Sequence, residues 1–395
     1  MKYAYFPGCS SAGTGVAFEL SAQYVAKKIG MELAEIPDWN CCGAGHMTNA
    51  DAAIALPARN LALAEKHIAD CNELATPCAA CFARMKTASV YCRESEENLN
   101  HIKDIIEMPE FEAKQDVISL LEAFCRDEAK DAIKAAITKP LNGAKIASYY
   151  GCLLVRPEGI CDFDDNENPT SMDDLMEIAG AKAVDWGYKV ECCGASHQVA
   201  APKVGRDMIA RIIINAVKNG AEAIVTACPM CMLNLDMRMK EIAAKHGSQY
   251  NIPVYFFTEL LAVAMGADPK AVGTDKHFVP AVEYAEKIVK APVAEAPEAK
   301  FDKDADEVDA KIAKKKAETK AESKVARETA GGATKDVAVT HSRSEKNNID
   351  EKADEVDADI AKRKAENKAA REEVGGATKS VAEKQARSEK NGGEK

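Results

Sequence analysis

Two cysteines stand side by side in WNCCGAGH (39–46) and again in VECCGASH (190–197). A disulfide between neighbours closes a strained ring, and burial alone needs no second sulfur. Each pair lies between a lone upstream cysteine and a downstream Cys-x-x-Cys. The first set is Cys9, Cys41, Cys42, Cys78 and Cys81, spaced C-x31-C-C-x35-C-x2-C; the second is Cys152, Cys192, Cys193, Cys228 and Cys231, spaced C-x39-C-C-x34-C-x2-C. A closed zinc site takes four ligands. Five thiols per set exceed that need and point to an iron–sulfur cluster with more than one metal. The ferredoxin run C-x2-C-x2-C-x3-C-P is absent, and no histidine follows CAACF or CPMCM to attach a haem. Zinc in one site is the alternative. A Cys-x-x-Cys alone also reads as a thioredoxin-like pair, but the duplicated five-cysteine pattern argues against that.

The neighbours of these thiols have mechanical roles. A Cys-x-x-Cys at a helix start sets two sulfurs near backbone N–H groups that favour negative sulfur. The glycine after each cysteine pair lets backbone approach a cluster. Adjacent cysteines can ligate two different irons. His46 and His197 each lie four residues beyond a cysteine pair. Either could give a proton to a departing thiolate or hydrogen-bond a cluster sulfur. The plainer alternative is a helix cap or a solvent-facing side chain. His67, His101, His246, His277 and His341 have no such pairing and receive no role. Cys71, Cys92, Cys125 and Cys161 have no counterparts and read as small buried residues or bystanders.

Strands alternating with helices position the cysteines. KYAYF, MELAEIP and CNELATP read as strands, each followed by a cysteine cluster, and KIASYY, KAVDWG and AEAIVTA occupy the same places later. GVAFELSAQYVAKKIG and residues 51–70 have helical spacing. That alternation predicts α/β half-domains with parallel sheets, Rossmann-like and pseudo-symmetric. Ligands of such sheets sit beyond the carboxyl ends of the strands, where all the clusters fall.

The chain is thus internally duplicated. KYAYFPGC returns as KIASYYGC, TPCAAC as TACPMC, and the only two tryptophans, Trp39 and Trp186, each precede a cysteine pair. The expected organisation is one half-domain over 1–125, a connector over 126–144, a second half-domain over 145–290, a Pro/Ala linker over 291–300 and a charged tail over 301–395. The tail repeats ADEVDAKIAKKKAE as ADEVDADIAKRKAE and has no aromatic residue after Phe301. Its few apolar positions predict a disordered or partly helical extension, or an arm whose helices form on a partner.

Composition excludes several classes. The net charge of −11 over 395 residues argues against a nucleic-acid partner, and the tail balances its charges, so the acidic excess lies in residues 1–300. No apolar run reaches membrane-spanning length and no secretory leader is visible. Fourteen cysteines then point to metal or redox chemistry in a reducing cytoplasm rather than to disulfides.

C-x(31–39)-C-C-x(34–35)-C-x-x-C resembles the CCG, or cysteine-rich, domain. Two copies within residues 1–290, followed by PVYFFTELLAVAMG (253–266), resemble the B subunit of heterodisulfide reductase. The resemblance implies that each five-cysteine set holds a noncubane [4Fe-4S] cluster. It implies that a small disulfide or thiol, or a related sulfur substrate, reacts between the two, a disulfide being reduced or formed there, with electrons from a ferredoxin-like iron–sulfur partner (the C subunit) fed by a flavin-bearing one (the A subunit). Related CCG subunits of succinate or fumarate reductases imply the alternative of electron transfer toward quinone. The tail is not part of the family pattern.

Overall fold

The structure, a computed structural model, describes residues 1–44 and 49–290. His46, the linker at 291–300 and the tail at 301–395 lie outside the described residues. Strands β1 (Lys2–Tyr5), β2 (Glu32–Glu35), β3 (Glu73–Thr76) and β4 (Asp116–Ser119) form one parallel sheet in the order β2-β1-β3-β4. Strands β5 (Lys145–Tyr149), β6 (Lys182–Ala183), β7 (Ala223–Thr226) and β8 (Val254–Phe256) form a second, ordered β6-β5-β7-β8. All pairings are parallel, with Ala4 beside Leu74 in one sheet and Ile146 beside Ala223 in the other. The central strands carry no polar alternation: every residue of β7 is buried, as expected where helices cover both faces. The edge strand β2 instead has exposed glutamates at both ends, which discourages further pairing.

Helices α1 (Val16–Lys28), α2 (Ala50–His67), α3 (Ala79–Glu94), α4 (Glu96–Ile106) and α5 (Leu120–Phe124) belong to the first half. Helix α6 (Asp127–Ala136) fills the connector. The second half has α7 (Ser171–Ile178), α8 (His197–Ala200), α9 (Pro202–Lys218), α10 (Pro229–His246), α11 (Phe257–Ala264) and α12 (Val282–Lys290). Local signals fix several starts. Asn49 accepts from Ala52 N and Ser95 from Asn98 N, and Pro202 and Pro229 occupy first-turn positions that need no N–H.

The halves share a core. Helix α1 packs on α11, and α5 packs on α7. Phe18 stacks on Phe256 at 4.4 Å and meets Phe257 edge-on; Phe257 also meets Phe124. Ser21 Oγ and Thr258 Oγ1 lie 2.6 Å apart within this apolar contact, each satisfying the other's buried hydroxyl.

The strand expected at KAVDWG is only two residues long, although Val184 N still donates to Ile146 O. Strands β4 and β8 complete the sheets without a counterpart among the strands expected from the sequence.

Candidate metal centre

Both cysteine sets assemble at the carboxyl ends of the strands. Cys9 follows β1 and Cys152 follows β5; Cys78 and Cys228 follow β3 and β7 and cap the N-termini of α3 and α10. Phe6 packs edge-on against Trp39, and Tyr149 packs against Trp186. Each tryptophan thus braces the residue three places before the first cysteine of its set.

The thiols touch. Cys42 Sγ lies 3.1 Å from Cys81 Sγ, and Cys193 Sγ lies 3.7 Å from Cys231 Sγ. Cys9 and Cys41, Cys78 and Cys81, Cys152 and Cys192, and Cys228 and Cys231 are neighbours near enough for each thiol to bear on the other's proton. Cys78 of the first set lies near enough to Cys228 of the second for each thiol to bear on the other's proton. The two sets therefore abut, and both Cys78 and Cys228 are buried. Cys9 and Cys41 are exposed and mark the solvent edge of the first set.

Proton affinities differ sharply among these thiols. The bond from Cys81 brings Cys42 down to about 7, helped against burial by Ala44 N–H and the Arg84 charge. The bond from Cys152 brings Cys192 down to about 6, helped by Gly194 N–H and the charge of His197. Their partners Cys81 and Cys152 are pushed up by the same bonds and by burial. A bound metal would displace the protons held here.

Donor chemistry fits an iron–sulfur group: ten thiols, six of them buried, with low-affinity protons at intervals. Among the described residues no three His, Cys, Asp or Glu side chains are spaced around one point as a single ion requires. The fit therefore lies in the donor set rather than in a preformed ion cage.

Gly8 (φ +76°) and Gly151 (φ +70°) precede the first cysteines; a Cβ on them would lie 3.4 Å from Cys81 Sγ and 3.0 Å from Cys231 Sγ. These are the glycines that sulfur approaches. The glycine after the pair does something else: a Cβ on Gly194 would meet Gly205 Cα of α9 at 3.1 Å. It lets a helix pack closely behind the cysteine loop.

His197 starts α8, is exposed, and lies close enough to Cys192 for its charge to favour the thiolate. Cys71 and Cys125 bond backbone carbonyls; Cys92 and Cys161 are buried, and burial pushes both up to about 11.

Several residues near the thiols carried no sequence signal. Asn234 Nδ2 donates to Cys193 Sγ at 3.4 Å, and Arg84 holds the matching place in the first half. Aligning the two Cys-x-x-Cys motifs would have found that pair. Tyr149 Oη donates to Glu191 O at 2.6 Å beside Cys192. His277, without a role in the sequence, is buried, with Nε2 2.8 Å from Glu259 Oε1. It lines a cavity of about 340 Å³ with Asp236, Met232 and Phe278.

The family model for the cysteine-rich domain matches residues 3–86 and 146–236, one copy on each sheet. The chain is 29% identical over 285 residues to the membrane anchor subunit of 8-methylmenaquinol:fumarate reductase from Wolinella succinogenes, covering 71% of this chain and 98% of that protein. It is 29% identical over 295 residues to the B subunit of ferredoxin:CoB-CoM heterodisulfide reductase from Methanosarcina mazei, covering 73% and 97%. A protein of Archaeoglobus profundus described as like the heterodisulfide reductase B subunit is 26% identical over 283 residues, covering 69% and 93%. Among solved structures, a hypothetical protein from Helicobacter pylori aligns with a TM-score of 0.57 at 15% identity over 70% of this chain. The chain spans about half of that structure (52%), and the likeness shows the fold alone.

Proposed function

We propose that this member of the cysteine-rich domain family, with two copies of the domain, is the catalytic iron–sulfur subunit of a heterodisulfide-reductase-like complex. Cys9, Cys41, Cys42, Cys78 and Cys81 would hold one [4Fe-4S] cluster, and Cys152, Cys192, Cys193, Cys228 and Cys231 the other, noncubane by resemblance. The nearness of Cys78 to Cys228 carries this reading, because it supports two sets that border one space. Two clusters held by these cysteines would supply the two electrons that reduction of a disulfide takes.

The chain's own residues do the rest. The Phe6–Trp39 and Tyr149–Trp186 pairs stiffen the loops that carry Cys9 and Cys152. His197 stands beside Cys192, where its imidazole would hold the proton for a departing thiolate; His46 is its counterpart in sequence. A ferredoxin-like iron–sulfur subunit and a flavin subunit are the expected partners. Among the described residues no helix is long and apolar enough to cross a membrane.

Similarity to the fumarate reductase subunit over 98% of its length supports a second reading, electron transfer toward a quinone. Anaerobic metal analysis with EPR separates these. Iron and sulfide for two clusters, with signals that change on adding a thiol or disulfide, are expected. Signals indifferent to both would favour the quinone reading, and zinc without iron would refute the redox assignment.

A further inference from the structure

Counterpart positions around the two thiol sets are not filled alike. Aligning Cys81 with Cys231 sets Arg84 against Asn234, each three residues beyond its cysteine and so on the same helix face as that cysteine. Asn234 is buried and its Nδ2 donates to Cys193 Sγ. The counterpart of Cys193 is Cys42, whose Sγ touches Cys81. Arg84 is half-buried on the same helix as Cys81, one turn further on, and its charge bears on Cys42. Arg59, Arg93, Arg126, Arg206 and Arg238 pair with carboxylates; among the described residues Arg84, like Arg156 and Arg211, pairs with none. At this one pair of counterpart positions, then, a neutral amide serves the second set and a cation without an ion-pair partner among the described residues serves the first. Phe6 against Tyr149 adds a second difference.

We infer that Arg84 makes the two sites electrically unequal, holding the first at the more positive reduction potential, so that an arriving electron settles there before it reaches the second. This rests on the reading that both sites hold iron–sulfur clusters. Reduction adds one negative charge to a site and breaks no bond; the electron comes from a one-electron donor, a ferredoxin-like partner in the complex or dithionite in a titration. A fixed positive charge nearby stabilises the reduced form by Coulomb attraction, and among the described residues no carboxylate forms an ion pair with it. The Asn234 amide offers only a dipole. Charge and hydrogen bonding around the sulfurs are established levers on cluster potential. Arg84 acts through the cluster and needs no contact with substrate.

The test is an EPR-monitored redox titration of the full chain, loaded anaerobically with iron and sulfide, without any thiol or disulfide. Two midpoints are expected. Arg84→Gln should lower the higher one and leave the other in place, Arg84→Lys should restore it, and Asn234→Arg should raise the lower one. If Arg84→Gln moves both midpoints together, moves neither, or moves only the lower one, the inference is wrong. Iron and sulfide per chain are counted for each variant. Should Arg84→Gln lose a cluster, the Arg84→Lys and Asn234→Arg titrations still decide, and Asn234→Arg leaving the lower midpoint fixed overturns the inference. Uptake of zinc alone overturns the cluster reading and this inference with it. Unequal midpoints that respond to Arg84, in a protein whose signals ignore thiols, refute disulfide chemistry and leave the inference standing.

Discussion

The Lys189–Asp173 pair offers a quantitative test of how the second thiol set is held. Lys189 Nζ lies 2.6 Å from Asp173 Oδ2, with side chains 5% and 11% exposed, and also donates to Pro169 O. At an effective dielectric of about 20, unit charges at that distance attract by about 6 kcal/mol. Burial of both ions opposes most of this; it pushes the Asp173 carboxyl above its ordinary range even though Lys189 pulls it down. Removing one partner strands the other charge and should cost about 3–5 kcal/mol. Replacing both by apolar residues of similar size should leave the protein within about 2 kcal/mol of the parent. Asp173→Leu, Lys189→Met and their combination are compared by anaerobic denaturant unfolding of the reduced, metal-free chain. The Lys189 carbonyl accepts from Tyr150 N and Gly151 N, two residues and one residue before Cys152. Each single variant should therefore also take up less iron than the parent, and the double variant should recover it. A single variant costing under about 1 kcal/mol, or a double variant as unstable as the sum of the singles, would refute the reasoning.

Three further outcomes are expected. Gly151→Ala forces a left-handed backbone at about 1–2 kcal/mol and sets a methyl 3.0 Å from Cys231 Sγ; iron at the second site should fall while the first stays loaded. Gly8→Ala meets Cys81 Sγ at an ordinary 3.4 Å and should do less. For His277, burial opposes the charged form, but Glu259 and Asp236 outweigh it and hold the imidazole above its ordinary 6.5. Its stabilisation is full below 6.5 and is lost as pH rises through the folded value. Burial also raises Glu259, so both groups make stability fall with rising pH. His277→Gln should flatten that fall from pH 6.5 upward in unfolding measured across pH. His197→Gln with both clusters intact should depress turnover of a small disulfide and change its pH profile; an unchanged rate and profile would remove the proton-donor role.

Much of the fold was legible because the signals are local or duplicated. Strand–helix alternation and strand-end cysteines implied two parallel α/β halves, which the two sheets show. β4 and β8 escaped notice for a physical reason: DVIS and VYF are short buried runs with no cysteine cluster after them, and such runs resemble any core segment. After the short β6 the backbone is irregular over 184–186 and turns from Gly187, and Trp186 Nε1 donates to Ser148 O. Cysteine spacing named both thiol sets, but it could not show that Cys78 meets Cys228, 150 residues later in the chain (228 − 78). Nor could it distinguish the glycine that sulfur approaches from the glycine that a helix approaches. His277 looked unremarkable because its partners, Asp236 and Glu259, come from separate helices.

The inter-half contacts follow from duplication itself. Helix α5 follows β4 as α11 follows β8, and both carry a glutamate at their third position, Glu122 and Glu259. Helix α1 packs on α11 and α7 packs on α5, so the two contacts are one contact made twice about a pseudo-two-fold axis. In such an arrangement an element on the axis meets its own counterpart, as in an isologous dimer interface. Cys78 and Cys228, each the first cysteine of its Cys-x-x-Cys and each capping its helix, are such a pair. A strictly symmetric pair would share an arriving electron without preference. Fusion of the halves into one chain frees the counterpart positions to diverge, as Arg84 and Asn234 have done. Duplication thus brings the two sites together, and divergence at counterpart positions one turn beyond Cys81 and Cys231 allows the sites to differ.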